Sequence, residues 1–160
     1  MSVDNFAVEA RQFCGWATGN DEAAMSAQDA LVRIVSLYGA ALTYLSLPTL
    51  DEDEKAGIQQ RHWGSIQAIL ERTPDLPFEN YWEISDPLDI SPGEPVVGSL
   101  TDDFGDIYMD IARGLALYDA GQIQAAQWEW KFHFDIHWGE HATSAIRALH
   151  WYVVKEERDG

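Results

Sequence analysis

The sequence predicts an all-α protein, a single domain over residues 1–160 built as an antiparallel bundle of five or six helices with a Pro-rich aromatic strap. Apolar residues recur at helical spacing along most of the chain. No stretch sustains period-2 alternation, so strands should be almost absent. Five of the six prolines fall within residues 74–98, which interrupts the helical pattern there.

Val3, Phe6, Ala10, Phe13 and Ala17 mark a first helix that stops near Gly19 and Asn20. Leu31, Ile34, Val35, Tyr38, Leu42 and Leu45 mark a second, closed by Pro48. Asp51 and Glu54 have capping-box spacing before a third helix. Its apolar side is Ile58, Trp63, Ile66, Ile69 and Leu70, and it ends before Thr73 and Pro74. No useful helix fits in the irregular strap, residues 74–98. Phe78, Tyr81, Trp82 and Ile84 should still pack the strap down, with Trp82 at least partly buried. Ser99 caps a fourth helix with the stripe Leu100, Phe104, Ile107, Ile111, Leu115 and Tyr118. After a turn at Ala120 and Gly121, a fifth helix runs from about Gln122 to Glu156, with Gly139 placed to kink or divide it. Residues 99–156 thus make a C-terminal helical hairpin. Its turn has small residues Gly114, Gly121 and Ala126 at tetratricopeptide-like offsets, but the repeat of about 34 residues has no second copy, so this is an ordinary αα-hairpin.

The net charge is −17, from 27 acidic and 10 basic residues. Phosphate contacts need clustered Lys and Arg, so nucleic acid and anionic membrane surfaces are disfavoured as partners. A basic protein is the favoured one, and the composition leaves room for a homodimer. There are seven tryptophans where about two would be ordinary. The lone Cys14 excludes an internal disulfide and reads as a small buried hydrophobe. With no signal-peptide core or membrane-spanning run in sight, the expectation is a cytoplasmic protein.

The chemistry concentrates on the hairpin. Asp103, Asp106 and Asp110 share one face of the fourth helix, and His133, His137 and His141 share one face of the fifth, with Glu129, Glu140 and Ser144 beside them. In an antiparallel pair turning at Ala120 and Gly121, residues whose numbers sum to roughly 241 stand level. Asp110 should then meet Lys131, Asp106 should meet His133 or Asp135, and Asp103 should meet His137. One use is an Asp103–His137 acid/base pair. Another is a divalent metal held by His137 and His141, with Asp103 or Glu140 as the further ligand. The sequence HWGEH is not the HExxH pattern, so the default reading has no cofactor and treats the face as interhelix bonding. There is no phosphate loop, nucleophile elbow or CxxC. Arg147 and His150, near the end of the last helix, are expected to pair with acids.

YWEISDP (81–87), SLTDDFGDIYMDI (99–111) and FDIHWGEHATSAIRALH (134–150), in that order, resemble the bacterial family catalogued as domain of unknown function 5063. The resemblance covers roughly the second half of the chain, with FCGWATG (13–19) as a weak echo. It implies a small, mainly helical bacterial protein and no activity. Asp103, Asp106, Tyr108, Asp110, Trp138, Gly139, Arg147 and His150 fall within it, whereas His133 and His141 do not belong to its motif.

The leading functional expectation is a non-enzymatic acidic interaction module, inhibitor- or immunity-like, for a basic partner. The rival is a metal-binding protein or metal-dependent enzyme using the Asp/His face. A third reading is a small-ligand pocket under the strap, with Tyr81, Trp82 and Glu83 as contacts.

Overall fold

The computed structural model describes residues 2–20, 25–59, 66–91 and 93–160; Trp63 and Pro92 lie outside them. The elements are α1 (Val3–Thr18), α2 (Ala27–Tyr44), α3 (Glu52–Gln59), α4 (Gln67–Arg72), β1 (Asn80–Glu83), β2 (Val96–Ser99), α5 (Leu100–Asp119), α6 (Ile123–His133) and α7 (Gly139–Asp159). A five-residue π-helical segment, Phe134–Trp138, joins α6 to α7. Helix α1 packs on α2, α2 on α7, α7 on α5 and α5 on α1, so these four close a ring around the core.

The local chemistry explains the boundaries. Ser2, Ser26 and Ser99 each accept a backbone N–H at the start of α1, α2 and α5. Asp51 and Glu54 bond reciprocally at 2.9 and 2.8 Å, the predicted capping box. Gly19 ends α1 at φ 81°, and Gly121 turns the hairpin at φ 76°. Both positions favour the one residue without a Cβ. On α2, Ala30, Ile34, Leu37 and Ala41 face inward, while Val35 and Leu42, counted in the expected stripe, are exposed. Phe6, Phe13, Trp16, Phe104, Trp130 and Trp138 are fully buried, with Phe6 and Trp130 edge-to-face at 4.9 Å.

The strap departs from expectation in two ways. It is not irregular throughout, since β1 and β2 pair antiparallel with Tyr81 opposite Gly98 and Trp82 opposite Val97. Each strand has only four residues, too few for alternation to register in the sequence. Trp82 is also not buried; it is 71% exposed, and Ile84 is 58% exposed. Side chains alternate along a strand, and here Tyr81 and Glu83 point inward, which turns Trp82 out. The strap is still anchored. Phe78 packs at a tilt on Tyr152, ring centroids 5.2 Å apart, and Glu79 accepts from Thr101 at 2.6 Å while its backbone accepts from Leu100 at 2.9 Å.

The expected fifth helix is divided as Gly139 suggested. A Cβ there would lie 2.3 Å from the Phe134 carbonyl oxygen, inside the π turn, so only glycine closes it. Nearer the hairpin turn, Trp130 fills a notch on α5. A Cβ on Gly114 would lie 2.2 Å from its Nε1, which donates to the Ile111 carbonyl at 3.0 Å. Two glycines of α5 should therefore respond oppositely to alanine. Gly114→Ala should destabilise by about 1–3 kcal/mol through overpacking. Gly105→Ala, where a Cβ meets nothing within 4 Å, should stabilise by about 0.5–1 kcal/mol by removing a mid-helix glycine. Urea denaturation of both variants measures the contrast, and equal signs would contradict the notch.

Candidate functional site

The hairpin brings the two rows of polar residues together, but in a different register from the one predicted. Before the π segment, contacts stay level: Arg113 meets Glu129 and Trp130 reaches Ile111. Within it, His137 Nδ1 lies 2.7 Å from Asp110 Oδ2, and beyond it His141 Nδ1 lies 2.8 Å from Asp103 Oδ1. His141 Nε2 lies 3.3 Å from Asp106 Oδ2. The predicted Asp103–His137 pair is thus replaced by Asp103–His141 and Asp110–His137. Lys131 bonds its own helix neighbour Asp135 rather than Asp110. There are two physical reasons. The π turn takes one extra residue, and side chains on antiparallel helices tilt toward their own N-termini, hence toward each other.

Asp103, Asp110 and Glu129 are buried acids, 3%, 3% and 1% exposed. Each is satisfied. Asp103 also accepts a short hydrogen bond from the Tyr81 phenol, whose ring crosses β2 over Gly98, where a Cβ would lie 2.5 Å from it. Ser144 donates to Glu83 from α7, linking the strap to the same face. Glu129 pairs with Arg113 at 2.8 Å and with His133 at 3.2 Å. The His137 and His141 rings stand edge-to-face at 5.0 Å. His133 belongs to the Glu129 cluster instead, and Glu140 is exposed, outside both. The sequence reading missed Tyr81 as a partner of Asp103, Gly98 beneath it and Arg113 beside Glu129.

The electrostatics follow from burial. Burial raises the Asp103 carboxyl above its ordinary range, against the lowering pull of hydrogen bonds from His141 and Tyr81. The hydrogen bond to Asp103 raises the His141 imidazole, against its own burial. Burial and then Asp103 raise the Tyr81 phenol, so it stays a donor. Burial pushes the Cys14 thiol up to about 12, which removes it as a nucleophile.

Among the described residues, two groups can each bring three ligand atoms within 4.8 Å of one another: Asp106, His137 and His141, and Asp110, Glu129 and His133. The second already contains a cation, because Arg113 sits on Glu129. The first has no Lys or Arg ion-paired to it among the described residues. A cleft of about 1400 Å³ opens between the strap and α7. The strap contacts Tyr81, Trp82 and Glu83 all line that cleft. Arg147 and His150 line it too and, contrary to expectation, form no ion pair among the described residues.

Fold and site together define a small, mainly helical protein whose C-terminal hairpin carries an Asp/His face under a strap. The chain belongs to the family described as domain of unknown function (DUF5063), whose profile matches residues 2–155. Among solved structures it is similar to protein BF1032 from Bacteroides fragilis, at 17% identity and a TM-score of 0.66, covering 91% of this chain and 87% of that one. That likeness extends to the fold alone. No curated protein matches the chain. Among the described residues, no helix is long and apolar enough to cross a membrane.

The His141 pairing makes a pH prediction. Its native pKa is raised, so its contribution to stability is full below the unfolded value of 6.5 and is lost as pH rises through the native value. Metal-free protein should therefore be less stable at about pH 8 than at about pH 6, and His141→Gln should shrink that difference. Asp103→Asn should shrink it as well and cost about 1–3 kcal/mol at pH 6. Denaturant midpoints at the two pH values decide it, and an unchanged difference in both variants would contradict the pairing.

Proposed function

We propose that the protein binds a divalent transition metal at Asp106, His137 and His141. The observation that supports this best is the pair of buried aspartates behind the histidines. Each histidine has Nδ1 occupied by a carboxylate, at 2.7 and 2.8 Å. That fixes Nδ1–H as the donor and leaves Nε2 as the ligand nitrogen of each ring; His141 Nε2 already lies 3.3 Å from Asp106 Oδ2, and Asp106, His137 and His141 bring ligand atoms within 4.8 Å of one another. Carboxylate–histidine–metal arrays of this kind orient the ring and raise its basicity. Two imidazoles and one carboxylate suit zinc, with the fourth tetrahedral position left to water. Relative to the sequence expectation of Asp103 or Glu140 as the further ligand, Asp106 takes that place, Asp103 stands behind His141 and Glu140 is exposed. The Asp110, Glu129 and His133 group is the poorer candidate, because a metal there would have to displace Arg113.

Zn²⁺ should bind with 1:1 stoichiometry and raise the melting temperature by mass action. His137→Ala should abolish both effects, and Asp110→Asn should weaken binding by about 10–100-fold. Isothermal titration on chelator-treated protein reads this directly. A melting temperature indifferent to Zn²⁺, or a rise that survives His137→Ala, would overturn the reading.

A second reading, an acidic interaction module for a basic partner, is supported by the strap tip. Leu88 and Ile90 are 89% and 96% exposed there, beside Asp86, Asp89 and Glu94. Exposed apolar residues among acids suit a basic, apolar partner surface. Charge reversal at Asp86, Asp89 and Glu94 should slow association with such a partner in a salt-sensitive way, measured by surface plasmon resonance. An on-rate indifferent to these charges would count against it.

A further inference from the structure

We propose that the cleft between the strap and α7 binds an amphipathic organic anion, its flat aromatic body held against Trp82 and Trp151 and its acid group by Arg147 and Lys155. This inference goes beyond the metal reading and does not depend on it. At about 1400 Å³ the cleft has room for a drug-sized molecule. One wall is the strap and the other is α7. Trp82 is 71% and Trp151 70% exposed, although both line this concave surface. Indoles left uncovered on both walls can take a ring between them and gain from its apolar area.

The charges set the sign of the ligand. The chain has only 10 basic residues against 27 acidic ones. Yet Arg147, Trp151 and Lys155 follow one another at i, i+4 spacing on α7, and all three line the cleft. Among the described residues neither cation belongs to an ion pair. Three acids share the cleft, at its other end from Lys155: Glu83, Asp135 and Glu140. Glu83 accepts from Ser144, and Asp135 is paired with Lys131. Glu140 is about two helical turns, roughly 10 Å, from Arg147 along the axis. Along the Arg147–Lys155 stretch of α7 the uncompensated charge is positive, and an anion is the ligand that meets it there. The guanidinium can take a carboxylate, phosphate or sulfonate through two parallel N–H donors.

The test uses two fluorescent probes of nearly the same shape, 8-anilinonaphthalene-1-sulfonate and uncharged N-phenyl-1-naphthylamine. The sulfonate should bind saturably at one site with energy transfer from tryptophan. The double variant Arg147→Gln/Lys155→Gln should weaken the sulfonate by about tenfold and leave the neutral probe within about twofold. Trp82→Ala should weaken both. His137→Ala, which removes the proposed metal ligand, should change neither, so this result separates the cleft from the metal site. All four substituted side chains are exposed or half-exposed, and circular dichroism checks that the variants fold. Non-saturable sulfonate binding, equal loss of both probes in the charge variant, or sulfonate binding insensitive to Trp82→Ala would each overturn the proposal.

Discussion

The indole of Trp130 sits in the notch left by Gly114 and donates to the Ile111 carbonyl, and that contact fixes how α6 lies on α5. Everything polar on the hairpin is phased from it. The next buried indole, Trp138, donates to the Trp130 carbonyl at 3.0 Å, across the π segment. The two tryptophans thus pin the helix one turn before the segment and at the segment's last residue. Gly139 then lets the turn close against the Phe134 carbonyl. A wider turn of this kind rotates the following helix relative to the preceding one. His133, before the segment, stays with Glu129 one turn back in α6, whereas His137 and His141 reach Asp110 and Asp103. One row of histidines in the sequence becomes two clusters in space.

The two clusters solve the same problem differently. Buried carboxylates need compensating partners. Around Glu129 the compensation is a fixed guanidinium plus an imidazole. Around Asp103, Asp106 and Asp110 it is two histidines and a phenol, without a permanent cation from Lys or Arg among the described residues. Such a cluster can take up positive charge either as protons or as a metal ion, and the two compete for the same imidazoles. The strap belongs to this arrangement. Tyr81 and Glu83, the inward residues of β1, bond to Asp103 and Ser144. The same alternation that seats them turns Trp82 outward.

The helices were legible because amphipathic stripes and caps are local signals. Ser99, Asp51 with Glu54, and Gly121 do in the structure what their spacing suggested. The polar face was legible as a set of residues and not as a set of pairs. Its pairing depends on a π turn, and the only local trace of that turn is Gly139 inside an apolar run. The strap was misjudged where four-residue strands outweigh composition. Tyr81 opposite Gly98 is a long-range pairing, and no window around NYWE contains it. The exposure of Trp82 follows from that pairing and runs against the usual burial of tryptophan.

The proposed metal site requires His137 and His141 to present Nε2 to a common point while buried aspartates hold Nδ1. The imidazole ¹⁵N shifts of the metal-free protein report this directly, recorded at a pH where both rings are neutral. The account predicts Nδ1–H tautomers for both residues, with both Nε2 resonances moving on addition of one equivalent of Zn²⁺ and the Nδ1 resonances keeping their protonated character. Nε2–H tautomers in either ring, or Nε2 shifts that ignore Zn²⁺, would contradict it.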